Sequence, residues 1–395
     1  MTFAASWHER RVNFAAHPVG WPLALLARRL SPVLNVPGFG LVVSDAEVAH
    51  DVLVNDDIFT KNGRGSLSAT ITEFLGPSAL SNMDGEAHAR LRSKLADIVA
   101  PSQAGELLRG CVGPLDALQQ ALERGDEVDL VSAMRWMSGR ITFDMLGVTP
   151  DGDERAACLA LVALGERIAS GLDFRTPSPA RLAAARADCD QLVAYARHGY
   201  ASADAPPRSF VRRLRDLGFS FDEARGVLGL VFLAGTLTTA AALPRIVALL
   251  IDTRQFSALR DDPAGIPLAI AEGLRFTTPV PATMRIAQRD ATVRGHHIRA
   301  GTRVVLMTCN LTRDGRMFPD AFTFSAMRTQ PARARNLWYG AGPHFCLGFA
   351  IAQRQLHMVL ERLVALHGTM RVVGRAPARG VIVPAYRHLR LRLDP

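Results

Sequence analysis

Cys346 stands in NLWYGAGPHFCLGFAIAQ, residues 336–353, with Gly340, Gly342 and Gly348 around it and a helix-like stretch directly after it. The glycines permit tight turns and close backbone approach. Apolar Leu356, Val359, Leu360 and Leu363 follow helical spacing until Gly368, which predicts a helix with the thiol at its N-terminus. Unpaired amides and the helix dipole favour an anion there, so a depressed thiol pKa is expected. A thiolate held this way is a nucleophile or a metal ligand. The nucleophile needs a general base, and His344 is close in sequence, but no Cys/His/Asn set can be assembled from one chain. A buried inert cysteine is the ordinary case for a lone thiol, yet it leaves the flanking glycines unexplained.

Other polar pairs need helices to bring them together. Glu272 and Arg275 stand at i and i+3, on one face of a helix that Pro267 can open and Pro279 limits. His88 and Arg92 stand at i and i+4 and face the same way on a helix. Taken singly, each is an ordinary surface residue. Ser44-Asp45-Ala46-Glu47 and Ser220-Phe221-Asp222-Glu223 both read as capping boxes, so helices are expected to start at both. The second opens GVLGLVFLAGTLTTAAALPRIVALLI, residues 226–251, long and apolar enough to span a membrane. Thr236, Thr238, Thr239, Pro244 and Arg245 inside it favour a helix buried in a large soluble core. Residues 103–217 carry amphipathic helical patterns broken near Gly125, Gly152, Gly171 and Pro206-Pro207. Strand signals fall at Gly40–Val43, across 291–308 and at the chain end. The class expected is mainly α with small β-sheets (α+β).

The chain has 395 residues, 48% hydrophobic and 21% charged, and no linker or low-complexity tract marks a boundary, so a single domain over 1–395 is expected. Its five cysteines, at 111, 158, 189, 309 and 346, form no CxxC pair or zinc-finger spacing, which argues for free thiols in a reducing, cytoplasmic compartment. The first 30 residues are too short and too charged in their apolar part for an anchor or a standard signal peptide. The net charge of +9 is almost all arginine, since Lys61 and Lys94 are the two lysines. No basic run with interleaved aromatics suggests nucleic acid. Scattered surface arginine is the plainer reading, and a docking patch for an acidic partner protein the sharper one.

Tyr339-Gly340-Ala341-Gly342-Pro343-His344-Phe345-Cys346-Leu347-Gly348 resembles the haem-binding loop of the cytochrome P450 family. The resemblance implies that Cys346 is the axial thiolate of haem b (iron protoporphyrin IX), with Gly348 beside it. Three further segments match in the family's order. Glu272 and Arg275 resemble the pair that braces the haem-binding core, a structural role. His88 and Arg92, with Arg285 and His344, match the family's contacts to the haem propionates, two buried carboxylates that need donors. Ala234-Gly235-Thr236-Leu237-Thr238-Thr239 aligns with the oxygen-side motif of the long helix. There Ala234 and Gly235 leave room for O2, and Thr238 guides protons to the oxygen. Where the family usually has Asp or Glu, this chain has Leu237, which cannot relay a proton.

The fold implied is that of a P450, with haem between the long helix and the helix after the cysteine loop. The implied activity is monooxygenation: one oxygen atom from O2 enters a hydrophobic small molecule (a secondary metabolite, terpenoid or lipid-like compound). Electrons are expected from a separate ferredoxin and its reductase, with no fused reductase, no nucleic acid and no membrane as partner. Arg90, Arg333, Arg335 and Arg354 are candidate contacts for the ferredoxin. Leu237 keeps open peroxide use or an atypical oxidation such as coupling or desaturation, and a haem-thiolate ligand binder or sensor is the non-enzyme alternative. Leu67, Ile71, Phe74, Leu75, Phe174, Leu237, Val280, Met284 and Ile382 are expected around the pocket, with Arg64 and Arg175 as possible anchors for a carboxylate.

Overall fold

Ser220 opens the longest element, the helix Phe221–Asp252. Its hydroxyl accepts from the Glu223 amide while the Glu223 carboxylate accepts from the Ser220 N–H, the reciprocal box expected from the sequence. The structure is a computed structural model and describes residues 3–63, 66, 68–76, 78–171, 179–207, 209–334 and 336–395. By length and composition the long helix passes the test for a membrane span, as its sequence suggests. Its C-terminal half, from Ala240 to Leu250, is instead buried in the largest apolar cluster, against Leu356, Val359, Leu360 and the strand residues Leu389 and Leu391. Arg245 is fully buried and paired with buried Glu9 of the N-terminal helix Phe3–Ala16; it also donates to the carbonyls of Thr277 and Pro384. A buried arginine with these partners is satisfied inside protein. The helix runs unbroken through Pro244.

Helices Pro101–Leu107, Val112–Glu123, Leu130–Leu146, Glu154–Gly171, Pro179–Ala201 and Phe210–Asp216 fill the region where the sequence shows amphipathic patterns. Three of the four expected breaks fall between them, and the fourth, near Gly171, adjoins residues outside those described. The first expected capping box is displaced by one residue. Asp45 caps the helix Ala46–Val54 by accepting from the amides of Glu47 and Val48. Ser44 is drawn away, its hydroxyl accepting from the Asn310 side chain.

The β structure is small. Val33–Val36, Gly40–Val43, Arg303–Leu306, Thr283–Ala287 and Phe59–Thr60 form a five-stranded sheet in that order. Tyr386–Asp394 pairs with Thr369–Pro377 on one side and Val128–Asp129 on the other, and Ala291–Val293 with His296–Ile298 makes a hairpin. The first sheet presents Met284 and Arg285 opposite Val305 and Val304. That register carries Arg285 from the surface, where sequence alone would put it, to a site 2% exposed.

Candidate functional site

The loop before Cys346 is shaped by two glycines in the left-handed region, Gly340 at φ 82° and Gly342 at φ 66°. At Gly342 a Cβ would lie 2.6 Å from the Leu53 carbonyl oxygen, so the loop seats against the end of the helix Ala46–Val54 only with glycine there. The loop then turns back, the Cys346 amide donating to the Tyr339 carbonyl at 3.0 Å. The helix Phe349–Val364 follows, with Gly348 as its N-cap residue. Tyr339, Phe345 and Phe349 pack ring against ring beneath the loop, centroids 5.0 to 6.2 Å apart.

The thiol is therefore where the sequence puts it, but its charge state departs from the expectation. Burial pushes the Cys346 thiol up, and the Gly348 amide hydrogen bond and the Arg92 charge oppose this without reversing it. Helix-end dipoles are a modest counterweight to desolvation. A bound metal cation is the agent that deprotonates such a sulfur outright. The other four cysteines are fully buried and their thiols are raised by burial, the profile of inert structural cysteine.

Beside the loop, the helix Gly85–Ala96 brings His88 and Arg92 into one cluster with His344 and Arg285. The His88 and His344 rings lie 4.2 Å apart. Two further members escaped sequence reasoning. Asp84 accepts from the amides of Lys61 and Asn62 at 2.8 and 3.0 Å, and lies 3.5 Å from His344 Nε2. Lys61 reaches the Thr283 hydroxyl at 3.3 Å. Its rarity in an arginine-rich chain was the available signal.

The electrostatics of this cluster are unbalanced. Burial, with Arg285 close by, lowers Lys61 to about 7. Burial, His344 and Arg92 lower His88 to about 4, and burial brings Arg285 down to about 10. Asp84 is disfavoured as an anion by burial, but the His344 contact and the two amides outweigh this and hold it at about 2. The buried Nε2 of His88 and Nε of Arg285 have no hydrogen-bond partner among the described residues. A cluster richer in cations than carboxylates, with orphaned donors, fits a group bearing carboxylates.

The long helix carries the Ala234–Thr239 segment. Ala234 and Gly235 are exposed in the middle of it, although Phe232, Thr236, Thr239 and Ala240 are buried. A Cβ on Gly235 would meet nothing within 4 Å. Thr236, Thr238 and Thr239 each donate to the carbonyl four residues back, Thr238 to Ala234 at 2.7 Å. The long helix packs against the helix Phe349–Val364, and Leu347 of the cysteine loop joins Ile351 on the apolar cluster that holds Val227 and Leu228 of the long helix. Gly235→Ala is expected to raise helix stability by up to about 1 kcal/mol while reducing turnover several-fold by filling that space. Thermal unfolding beside a turnover assay checks both halves, and no change in either would remove the functional reading of this glycine.

Glu272 and Arg275, both wholly buried, form a two-point ion pair at 2.6 and 2.8 Å on the helix Ile266–Thr277, which Pro267 helps open. They brace the segment leading to the cysteine loop rather than touch the site. Among the expected pocket residues, Leu237, Met284, Ile71 and Ile382 are partly exposed and Val280 is exposed. Phe74 and Leu75 are buried in a cluster with Phe143, Leu161 and Phe232, so they support the long helix instead of facing a pocket. Leu67, Arg64, Phe174, Arg175 and Arg335 lie outside the described residues. Arg90 is exposed and paired with Glu86, and Arg354 is exposed.

The family described as Cytochrome P450 matches residues 266–366. The chain is 29% identical over 370 residues to putative cytochrome P450 140 of Mycobacterium tuberculosis, covering 85% of this chain and 80% of that protein. It is 29% identical over 315 residues to the erythromycin C-12 hydroxylase of Saccharopolyspora erythraea, covering 75% of each. The crystal structure of the cytochrome P450 enzyme CYP109B1 from Bacillus subtilis superposes with a TM-score of 0.79 at 23% identity, covering 96% of this chain and all of that one. With the cysteine loop, the buried Glu272–Arg275 pair and the opened long helix in one fold, the chain is an oxidoreductase similar in sequence and fold to the cytochrome P450 family.

Proposed function

We propose that residues 1–395 form one haem-thiolate domain that inserts one oxygen atom from O2 into a hydrophobic small molecule, using electrons from a separate ferredoxin and its reductase in the cytoplasm. The observation that carries this reading is the glycine-shaped Cys346 loop in a fold whose long helix leaves Ala234 and Gly235 exposed. Haem b, when bound, supplies reductive activation of O2 and oxygen-atom transfer. Cys346 would hold its iron, with the Gly348 N–H withdrawing charge from the sulfur. His88, Arg92, Arg285 and His344, joined by Lys61, would hold its carboxylates.

The chain's contribution on the other side is room and a proton path. Ala234 and Gly235, with one methyl between them, would leave space for O2 beside the cofactor. Thr238 spends its own proton on the Ala234 carbonyl, so its lone pairs are left to accept from water or substrate. Leu237 ends that path, because it carries no exchangeable proton. Leu237, Met284, Ile71 and Ile382 offer an apolar lining, which suits a secondary-metabolite, terpenoid or lipid-like substrate. The similar hydroxylase of S. erythraea is named for erythromycin, a secondary metabolite.

Leu237 also favours a second reading, peroxide-driven oxidation or an oxidation without net oxygen insertion. Labelled O2 with ferredoxin and reductase, run beside a peroxide-only reaction, separates the two. Labelled product supports the monooxygenase, and unlabelled product with peroxide turnover rejects it. Leu237→Asp is expected to raise the fraction of electrons recovered in product, since it restores an acid one residue from Thr238. Unchanged coupling would mean that water or substrate already completes the path.

A further inference from the structure

The helix Gly20–Leu30 buries Trp21 and Ala24, and turns Val19, Leu23, Leu26 and Leu30 to the outside. Their spacing of i, i+4, i+7 and i+11 makes one stripe, about 16 Å long at 1.5 Å per residue. All four side chains are more than half exposed, from 51% to 65%. The preceding helix exposes Trp7 and Phe14 at i and i+7, again one face, at 51% and 52%. An aliphatic ridge, with an exposed aromatic pair on the preceding helix that touches it, is more than scattered single residues.

The charge of the same segment is one-sided. Residues 1–43 contain four arginines, Arg10, Arg11, Arg28 and Arg29, and one carboxylate, Glu9. Glu9 is buried against Arg245 and offers nothing to a partner. Arg10, Arg11 and Arg29 are exposed, and Arg28 lies over the Phe322 ring at 4.6 Å. Apolar ridge and cationic flanks together are the pattern of a helix lying in a lipid interface. A protein partner would ask for pockets that take anchor side chains, whereas these leucines protrude.

We infer that the first two helices dock the protein peripherally on an anionic lipid surface, with Leu23 and Leu26 entering the acyl boundary and the arginines meeting headgroup phosphates. The sequence reading expected no membrane as partner, and peripheral docking through the exposed stripe departs from that expectation. The Gly380 amide donates to the Ala15 carbonyl, and a ring nitrogen of His17 lies 3.0 Å from the Ile382 carbonyl oxygen, so the docked helices are tied to the 380–382 loop. On the substrate reading above, that link sets the pocket beside the layer in which an apolar substrate dissolves; the docking itself does not depend on that reading.

The test is flotation of the haem-loaded full chain with vesicles of phosphatidylcholine alone or mixed with phosphatidylglycerol. Co-flotation with the mixed vesicles, weakened by salt, is expected, together with a drop of about tenfold or more in partitioning for Leu23→Glu/Leu26→Glu. Because both leucines are exposed, that variant is expected to keep its haem spectrum. Quenching of tryptophan emission by brominated lipid, lost in Trp7→Phe, is the second readout on a chain with no added charge. Absence of the wild-type chain from mixed vesicles, or unchanged partitioning of the double variant, would overturn the docking. Equal binding to phosphatidylcholine alone would overturn its anionic character. A salt-stable dimer in light scattering that the double variant dissolves would reassign the face to a second copy of the chain.

Discussion

Cys346→Ser is expected to leave a folded, haem-binding protein whose ferrous carbon-monoxide complex has lost the red-shifted absorption band of a thiolate-ligated haem. The fold should survive because the loop's shape comes from Gly340, Gly342 and the Cys346 amide, none of which the substitution alters. Haem should remain because, on the proposed reading, its carboxylates would be held separately by His88, Arg92, Arg285, His344 and Lys61. Turnover should fall by more than the roughly 10- to 100-fold that removal of an outer-shell partner costs, since the ligand itself is lost. The complementary set, Lys61→Met, His88→Ala and Arg285→Met, should accelerate transfer of haem to an acceptor protein without moving the band. The two halves of the site thus give separate signals, band position for the sulfur and haem loss for the cations. An unmoved band in the serine variant would remove Cys346 as ligand, whatever the turnover.

That division follows what the sequence made legible. The cysteine loop could be read because its glycines, its lone thiol and the following helical period sit within 30 residues of one another. The long helix was readable for the same reason, its cap and apolar run being local. The cationic cluster was less so, because its members come from four separate segments around 61, 84–92, 285 and 344 and meet only through tertiary packing. Resemblance supplied His88, Arg92, Arg285 and His344 but said nothing of Lys61 or Asp84, whose contacts depend on one strand end and one helix start. Nor could the thiol's protonation be read locally. The sequence shows the helix end that lowers its pKa, but not the surrounding protein that raises it. Arg245 argues the same point in reverse. It was evidence against a membrane span, while its partner Glu9 lies 236 positions away and shows no link to it in sequence.

Glu272→Gln is the stability change with the largest expected effect, about 3–5 kcal/mol, the usual cost of removing one partner from a buried ion pair. The glutamate meets Arg275 at 2.6 and 2.8 Å and also accepts from the Ser325 amide, Arg328 Nε and Gln330 Nε2 at 3.0 to 3.2 Å. Arg275 in turn donates to the carbonyls of Thr312, Ala321 and Thr323. Both side chains are wholly buried, so neutralising the acid leaves the guanidinium charge with no anion and no water. For a protein stable by about 5–15 kcal/mol, that is a large share of the total. The effect should propagate, because residues 312–330 are held to the Glu272 helix through this pair and lead directly into the cysteine loop. The expected readout is a lower denaturant midpoint at unchanged slope, with less haem retained at a given denaturant concentration. Glu272→Leu combined with Arg275→Met should cost clearly less than the sum of the two single changes, since the double change no longer buries an unpaired Arg275 charge and leaves only Arg328 short of its carboxylate. A single-variant cost under about 1 kcal/mol, the range of exposed pairs, would show that the pair does not brace the loop.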